Sequence, residues 1–195
     1  MTMIRMLGAL ALVGLLAAPT LADDITEAME QARKAYQSGD LTNAQQSLDL
    51  ASQLIGQKNA EAFAALLPNA LPGWKAEKPQ TTAIGASGFG ASVASRNYQN
   101  ARGDNVEVQI TGDSAMVAQI ATFLNNPALA GAMGKLVRVG SQRGIQDNDG
   151  NIKMVVANKY LIAVEGSADT AAKLAYAQAI DIAKLTKHPP SPRRR

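Results

Sequence analysis

The chain has 195 residues, no cysteine, one histidine, and 19 basic against 16 acidic side chains. That length fits one domain or a small domain with an appendage, and 47% hydrophobic with 18% charged residues is a globular composition. The lack of cysteine excludes a disulfide scaffold, a thiolate metal site, a cysteine nucleophile and a lipoprotein anchor, and a lone His188 excludes a multi-histidine metal site.

Met1 to Arg5 is a short n-region with one positive charge, followed by an apolar run from Met6 to Ala18 and a small-residue stretch, Pro19 to Ala22. This is the layout of a secretory signal peptide over residues 1–22, with cleavage expected after Ala22 and Ala18 as the second choice. An uncleaved anchor is the alternative, but the apolar run falls short of the roughly 20 residues a membrane span needs. Removing residues 1–22 leaves 173 residues with 18 basic and 16 acidic side chains, a net charge of +2. Three terminal arginines more than account for that charge, so the body stands at −1. A nucleic-acid role needs a clustered basic face with aromatic or helical readers, and neither is present. The expected location is the periplasm or the exterior.

From Ile25 the pattern is helical. Ile25, Ala28, Met29, Ala32 and Tyr36 fall at helical spacing, Gly39-Asp40 interrupts, and Leu41, Ala44, Leu48, Ala51 and Ile55 resume the stripe until Gly56. An antiparallel helical hairpin is expected. Ala32, Tyr36, Gly39-Asp40, Ala44, Leu48 and Ala51 resemble one tetratricopeptide repeat over about residues 25–58, departing from it where Gly56 replaces the closing proline. No second copy follows, so the resemblance implies neither a solenoid nor a peptide groove. The plainer reading is a helical hairpin docked on its own domain.

Asn59 is placed to cap a short third helix, residues 60–67, which Pro68 ends. The stretch Leu66-Leu67-Pro68-Asn69-Ala70-Leu71-Pro72-Gly73-Trp74 cannot continue a helix and sets a boundary near Pro72, dividing helices at 23–71 from a second region at 72–186. There the period changes to two. Strands are predicted at 91–98, 105–111, 136–139, 152–157 and 160–165, with turns at 101–104 and 158–159. A helix capped by Asp113 or Ser114 runs through Met116, Ile120, Phe123 and Leu124. A closing helix, capped by Ser167 and spanning 168–185, carries an inward stripe of Ala171, Leu174, Ala175, Ile182 and Leu185. The fold class is α+β: an N-terminal helical hairpin plus an antiparallel sheet packed by helices. Trp74 opening a sheet, a central hairpin and a terminal helix are similar in order to the PsbP-like and related lipoprotein domains. That resemblance implies an accessory, assembly or lipid-handling role and no chemistry.

Chemical motifs are sparse. Gly85-Ala-Ser-Gly88-Phe89-Gly90 lacks the lysine and the following helix of a phosphate loop, and reads as a loop whose Phe89 lies over a pocket. Asp147-Asn148-Asp149-Gly150-Asn151 has the look of a calcium loop, but Ile145 and Val156 would fall at its first and closing ligand positions, so a polar turn is expected. Asp104, Glu107 and Asp113 read as solvated carboxylates, and Tyr98 and Tyr160 as core or edge packing. No catalytic residue, metal or cofactor is expected. The basic tail, 187–195, is expected to be disordered, with Arg193, Arg194 and Arg195 offering a weak contact to anionic membrane at about 1 kcal/mol each.

These readings point to a non-enzymatic secreted or periplasmic accessory protein that docks on a larger periplasmic or membrane-bound complex. Tyr36, Leu48, Trp74 and Phe89 are its candidate partner-binding residues. The alternative is a small-molecule or lipid-binding module.

Overall fold

The computed structural model describes residues 21–83, 91–112, 117, 120–122, 126, 131 and 134–187. Residues 1–20, the Gly85–Gly90 loop with Phe89, Asp113 to Met116, Phe123, Leu124, His188 and the arginine tail lie outside the described residues. Of the helix expected to follow Asp113, residues 117 and 120–122 are described, and they are helical.

Two helices open the described chain: α1 (Leu21–Gln37) and α2 (Leu41–Ala64). The turn between them is built as its sequence demands. Gly39 sits at φ +80°, and the Asp40 side chain caps α2 by accepting from the Asn43 backbone N–H at 3.0 Å. These bonds from Asn43 hold the exposed Asp40 carboxyl below its ordinary range.

The expected stop at Gly56 and the separate third helix do not form. α2 runs unbroken for 24 residues through Gly56. A Cβ at position 56 would stand 3.2 Å from the Ala83 Cβ and 3.7 Å from the Ser92 Oγ. The glycine therefore lets the helix approach the sheet closely and does not end it. Beyond the helix, Leu66 and Leu67 are buried in the same core as Phe63. The second half of α2 therefore packs on strands that lie beyond the border expected near Pro72.

Eight antiparallel strands follow: β1 (Trp74–Ala76), β2 (Gln80–Ala83), β3 (Ser92–Asn100), β4 (Asn105–Gly112), β5 (Lys135–Val139), β6 (Gln142–Gln146), β7 (Ile152–Val156) and β8 (Tyr160–Glu165). They form one sheet in the order β1-β3-β4-β8-β7-β6-β5, with β2 also pairing with β3. β1 takes Tyr98 to Asn100 of β3 and β2 takes Ser92 to Ser95, so both lie along the same side of one long strand. The architecture is α+β.

In β4, Val106, Val108 and Ile110 are fully buried while Glu107 and Gln109 point to the other face. The β7–β8 turn places Ala157 and Asn158 at φ +52° and +55°, the left-handed pair a tight hairpin requires. β1 begins at Trp74, where a sheet was expected to open, whereas β2 and β6 carry no apolar alternation and were not expected.

The closing helix also differs. Asp169, not Ser167, caps α3 (Thr170–Ala179), accepting from Ala172 N–H at 2.8 Å. Ser167 instead exchanges hydrogen bonds with Asn105 at the start of β4. Ile180 is extended and buried, and Asp181 restarts the chain as α4 (Ile182–Lys187). The side chains α3 buries are Lys173, Tyr176 and Ala177, whereas Ala171 and Ala175 face water. Alanine is nearly neutral to burial, so an alanine-rich helix does not announce its inner face.

One face of the sheet holds the core. Phe63 meets Tyr160 edge-on at 5.5 Å between ring centroids. Tyr98 and Tyr176 lie 4.3 Å apart, and Trp74 stands edge-on to Tyr176 at 5.4 Å. Polar tips of this cluster fasten the Pro68–Leu71 segment. The Tyr98 hydroxyl donates to the Pro68 carbonyl at 2.7 Å, and the Tyr176 hydroxyl accepts from Leu71 N–H at 3.2 Å.

Burial pushes the Tyr98 hydroxyl up to about 12 from its ordinary 10.0. A folded-state value above the unfolded one means stability present in full below pH 10 and lost as pH rises toward 12. Alkaline titration should show Tyr98 ionising only as the fold is lost. Reversible tyrosinate absorbance for all four tyrosines near pH 10, with circular dichroism unchanged, would contradict this.

Candidate partner-docking surface

The hairpin is assembled from its smallest residues. Ala28 and Ala32 of α1 and Ala44 and Ala51 of α2 are buried, giving a seam along which the two backbones approach closely. The large apolar residues of the same sequence stripe are left outside. Tyr36 is 70% exposed, Leu41 65%, Leu48 57%, Met29 55% and Ile55 44%. Leu41, Leu48 and Ile55 recur every seven residues, as do Met29 and Tyr36, so each set runs as a row along its helix. Both rows are offset from the alanine seam in the same rotational sense, and antiparallel pairing then brings them to one side of the hairpin. The result is a single apolar face built from both helices. Tyr36 and Leu48 of the expected docking set share it.

Trp74 does not join them. It is half-buried on β1, held against Tyr176, and serves the corner where the chain enters the sheet. Phe89 lies outside the described residues. Sequence reading passed over Met29, Leu41 and Ile55 as docking residues because they share a stripe with the buried alanines. Side-chain size was the available signal: an alanine seam is too narrow to enclose its larger neighbours.

The loop at 147–151 has its own resident cation. Asp147 accepts from the backbone N–H groups of Asp149 and Asn151 at 3.0 and 2.9 Å, and from the Asn151 side-chain amide at 3.0 Å. Burial would raise the Asp147 carboxyl, but these bonds outweigh it and hold the group below its ordinary range. Lys173, 1% exposed, reaches in from α3 and donates to the Asp149 carbonyl at 2.7 Å and the Asn151 Oδ1 at 2.9 Å. An ammonium takes the oxygen atoms a metal would seek. Among the described residues no three His, Cys, Asp or Glu side chains group as a metal site.

On the outer face of the sheet Glu107 stands directly across from Glu165, and Glu165 pairs with Lys153 at 3.1 Å. Asp104 is engaged by Asn100 and Arg102 at its turn, and both lower it. Asp113 lies outside the described residues. No described helix is long and apolar enough to cross a membrane. Comparison with protein-family models, curated proteins and solved structures returns no match for this chain.

Proposed function

We propose that this chain is a non-enzymatic secreted or periplasmic accessory protein that docks on a larger protein complex through the outer face of its helical hairpin. The observation that carries the reading is the apolar face formed by Met29, Tyr36, Leu41, Leu48 and Ile55. Scattered exposed apolar residues are ordinary; two aligned rows on one face are the arrangement of an interaction surface. The tetratricopeptide-like build suits this use, since alanines let two helices pair tightly and leave larger side chains for a third element. Small-molecule binding gains less support, because Tyr98, Tyr176 and Lys173 fill the space between the sheet and α3.

A photo-crosslinking residue placed at Leu48 should capture one discrete partner in the native host, and the same residue at Lys159 should not. Combining Tyr36→Ser with Leu48→Ser should remove that partner and leave the thermal midpoint within a few degrees, because both side chains are exposed. Capture that persists in the double variant, or that is equal at both positions, would refute the hairpin as the docking element.

A further inference from the structure

We propose that the outer face of the β5–β6 hairpin is a contact site for an anionic phospholipid surface, a role separate from the docking face on α1 and α2. β5 ends the strand order of the sheet, with one edge unpaired among the described residues. On its outer face Leu136 and Arg138 are two residues apart and so point the same way. The register sets Arg138 directly across from Arg143, and Leu136 across from the buried Ile145.

Two like charges facing each other across a strand pair repel. Neither arginine forms an ion pair among the described residues that would relieve this repulsion. Beside them Leu136 is 51% exposed, and the three line a shallow depression with Val137, Ser141 and Gln142. Edge strands carry cations to block strand addition, and that purpose accounts for charge alone. It does not account for a half-exposed leucine beside two guanidinium groups that have no ion-pair partner among the described residues. Paired cations next to an exposed apolar side chain match an interface in which phosphate groups overlie acyl chains: the guanidiniums take the phosphates and Leu136 enters the apolar layer.

The distribution of charge gives this contact a direction. Residues 21–64 carry seven acidic and three basic side chains, whereas residues 134–187 carry five acidic and eight basic. An anionic surface therefore attracts the part of the molecule that holds β5 and β6 and repels the helical hairpin α1–α2. The molecule would lie with its strands toward the lipid and its helical hairpin turned away, open to a partner.

The test uses protein purified from its own host and vesicles of phosphatidylcholine with or without 30% phosphatidylglycerol, separated by sedimentation. Binding is expected to the anionic vesicles alone, falling as salt is raised. Arg138→Gln with Arg143→Gln should weaken partitioning about thirty-fold, at ~1 kcal/mol for each charge lost. Leu136→Ser should weaken it several-fold. Lys34→Gln with Lys58→Gln, an equal change in net charge on the helices, should leave it unchanged. The proposal is overturned if the arginine pair matters no more than that control, or if neutralising Arg193, Arg194 and Arg195 accounts for all the binding. Equal binding to both vesicle types overturns it too, as does binding to soluble polyglutamate without binding to vesicles, which would assign the site to acidic protein.

Discussion

Replacing Phe63 with alanine should cost about 3–5 kcal/mol of stability, the range for removing a large buried aromatic. Phe63 is 3% exposed and is the main side chain by which α2 enters the core. Its ring stands edge-on to Tyr160 and lies against the strand at Gly112, where an added Cβ would fall 2.6 Å from the ring. Nothing nearby is placed to fill the vacated volume, since the facing residue is a glycine on a strand paired on both sides. Urea denaturation measures the loss directly. A change below 1 kcal/mol would mean that α2 is not anchored here. Leu48→Ala, on the exposed stretch of the same helix, should stay within about 0.5 kcal/mol.

The second large effect is expected at Lys173, where alanine should cost about 2–4 kcal/mol. The substitution removes a buried four-carbon stem and leaves the Asp149 carbonyl and the Asn151 Oδ1 without their donor. Release of a buried charge offsets part of this. Lys173→Met isolates the stem, because it keeps most of that apolar volume while losing the hydrogen bonds and the charge, as alanine does; it should fall between wild type and alanine. Calcium should not raise the thermal midpoint of the wild-type protein, whose loop oxygens already hold an ammonium. A calcium-dependent rise of several degrees in the wild type would show that Lys173 is displaced by metal and that the loop has been misassigned.

Sequence and structure agree where a residue's burial follows from its chemistry. The alternation of Val106, Val108 and Ile110 disclosed β4, and the Gly39-Asp40 pair disclosed the turn between α1 and α2. Agreement fails where one residue type serves two ends. Gly56 read as a helix stop, yet the absent side chain serves helix–sheet contact. Lys173 lies off the inward stripe expected of the closing helix, yet it is the centre of a buried polar loop. Gln142 to Gln146 carry little apolar signal because β6 gains its place from pairing with β5 and β7, not from its own alternation. The docking face was half legible. Tyr36 and Leu48 stood out as large residues, but the division of one stripe into buried alanines and exposed leucines depends on how closely the helices approach.

The unbroken passage of α2 through Gly56 has a mechanical consequence. At 1.5 Å per residue its 24 residues make a rod about 36 Å long. One end is set in the core by Phe63, and the other carries Leu41 and Leu48. No hinge separates the end that carries this exposed apolar row from the end that meets the sheet. A load applied at the docking face is therefore carried along the rod to the contact between Gly56 and Ala83. Amide hydrogen exchange should record this as a gradient, fastest near Leu41 and slowest near Phe63, and partner binding should slow exchange at the outer end while leaving the rod in one piece.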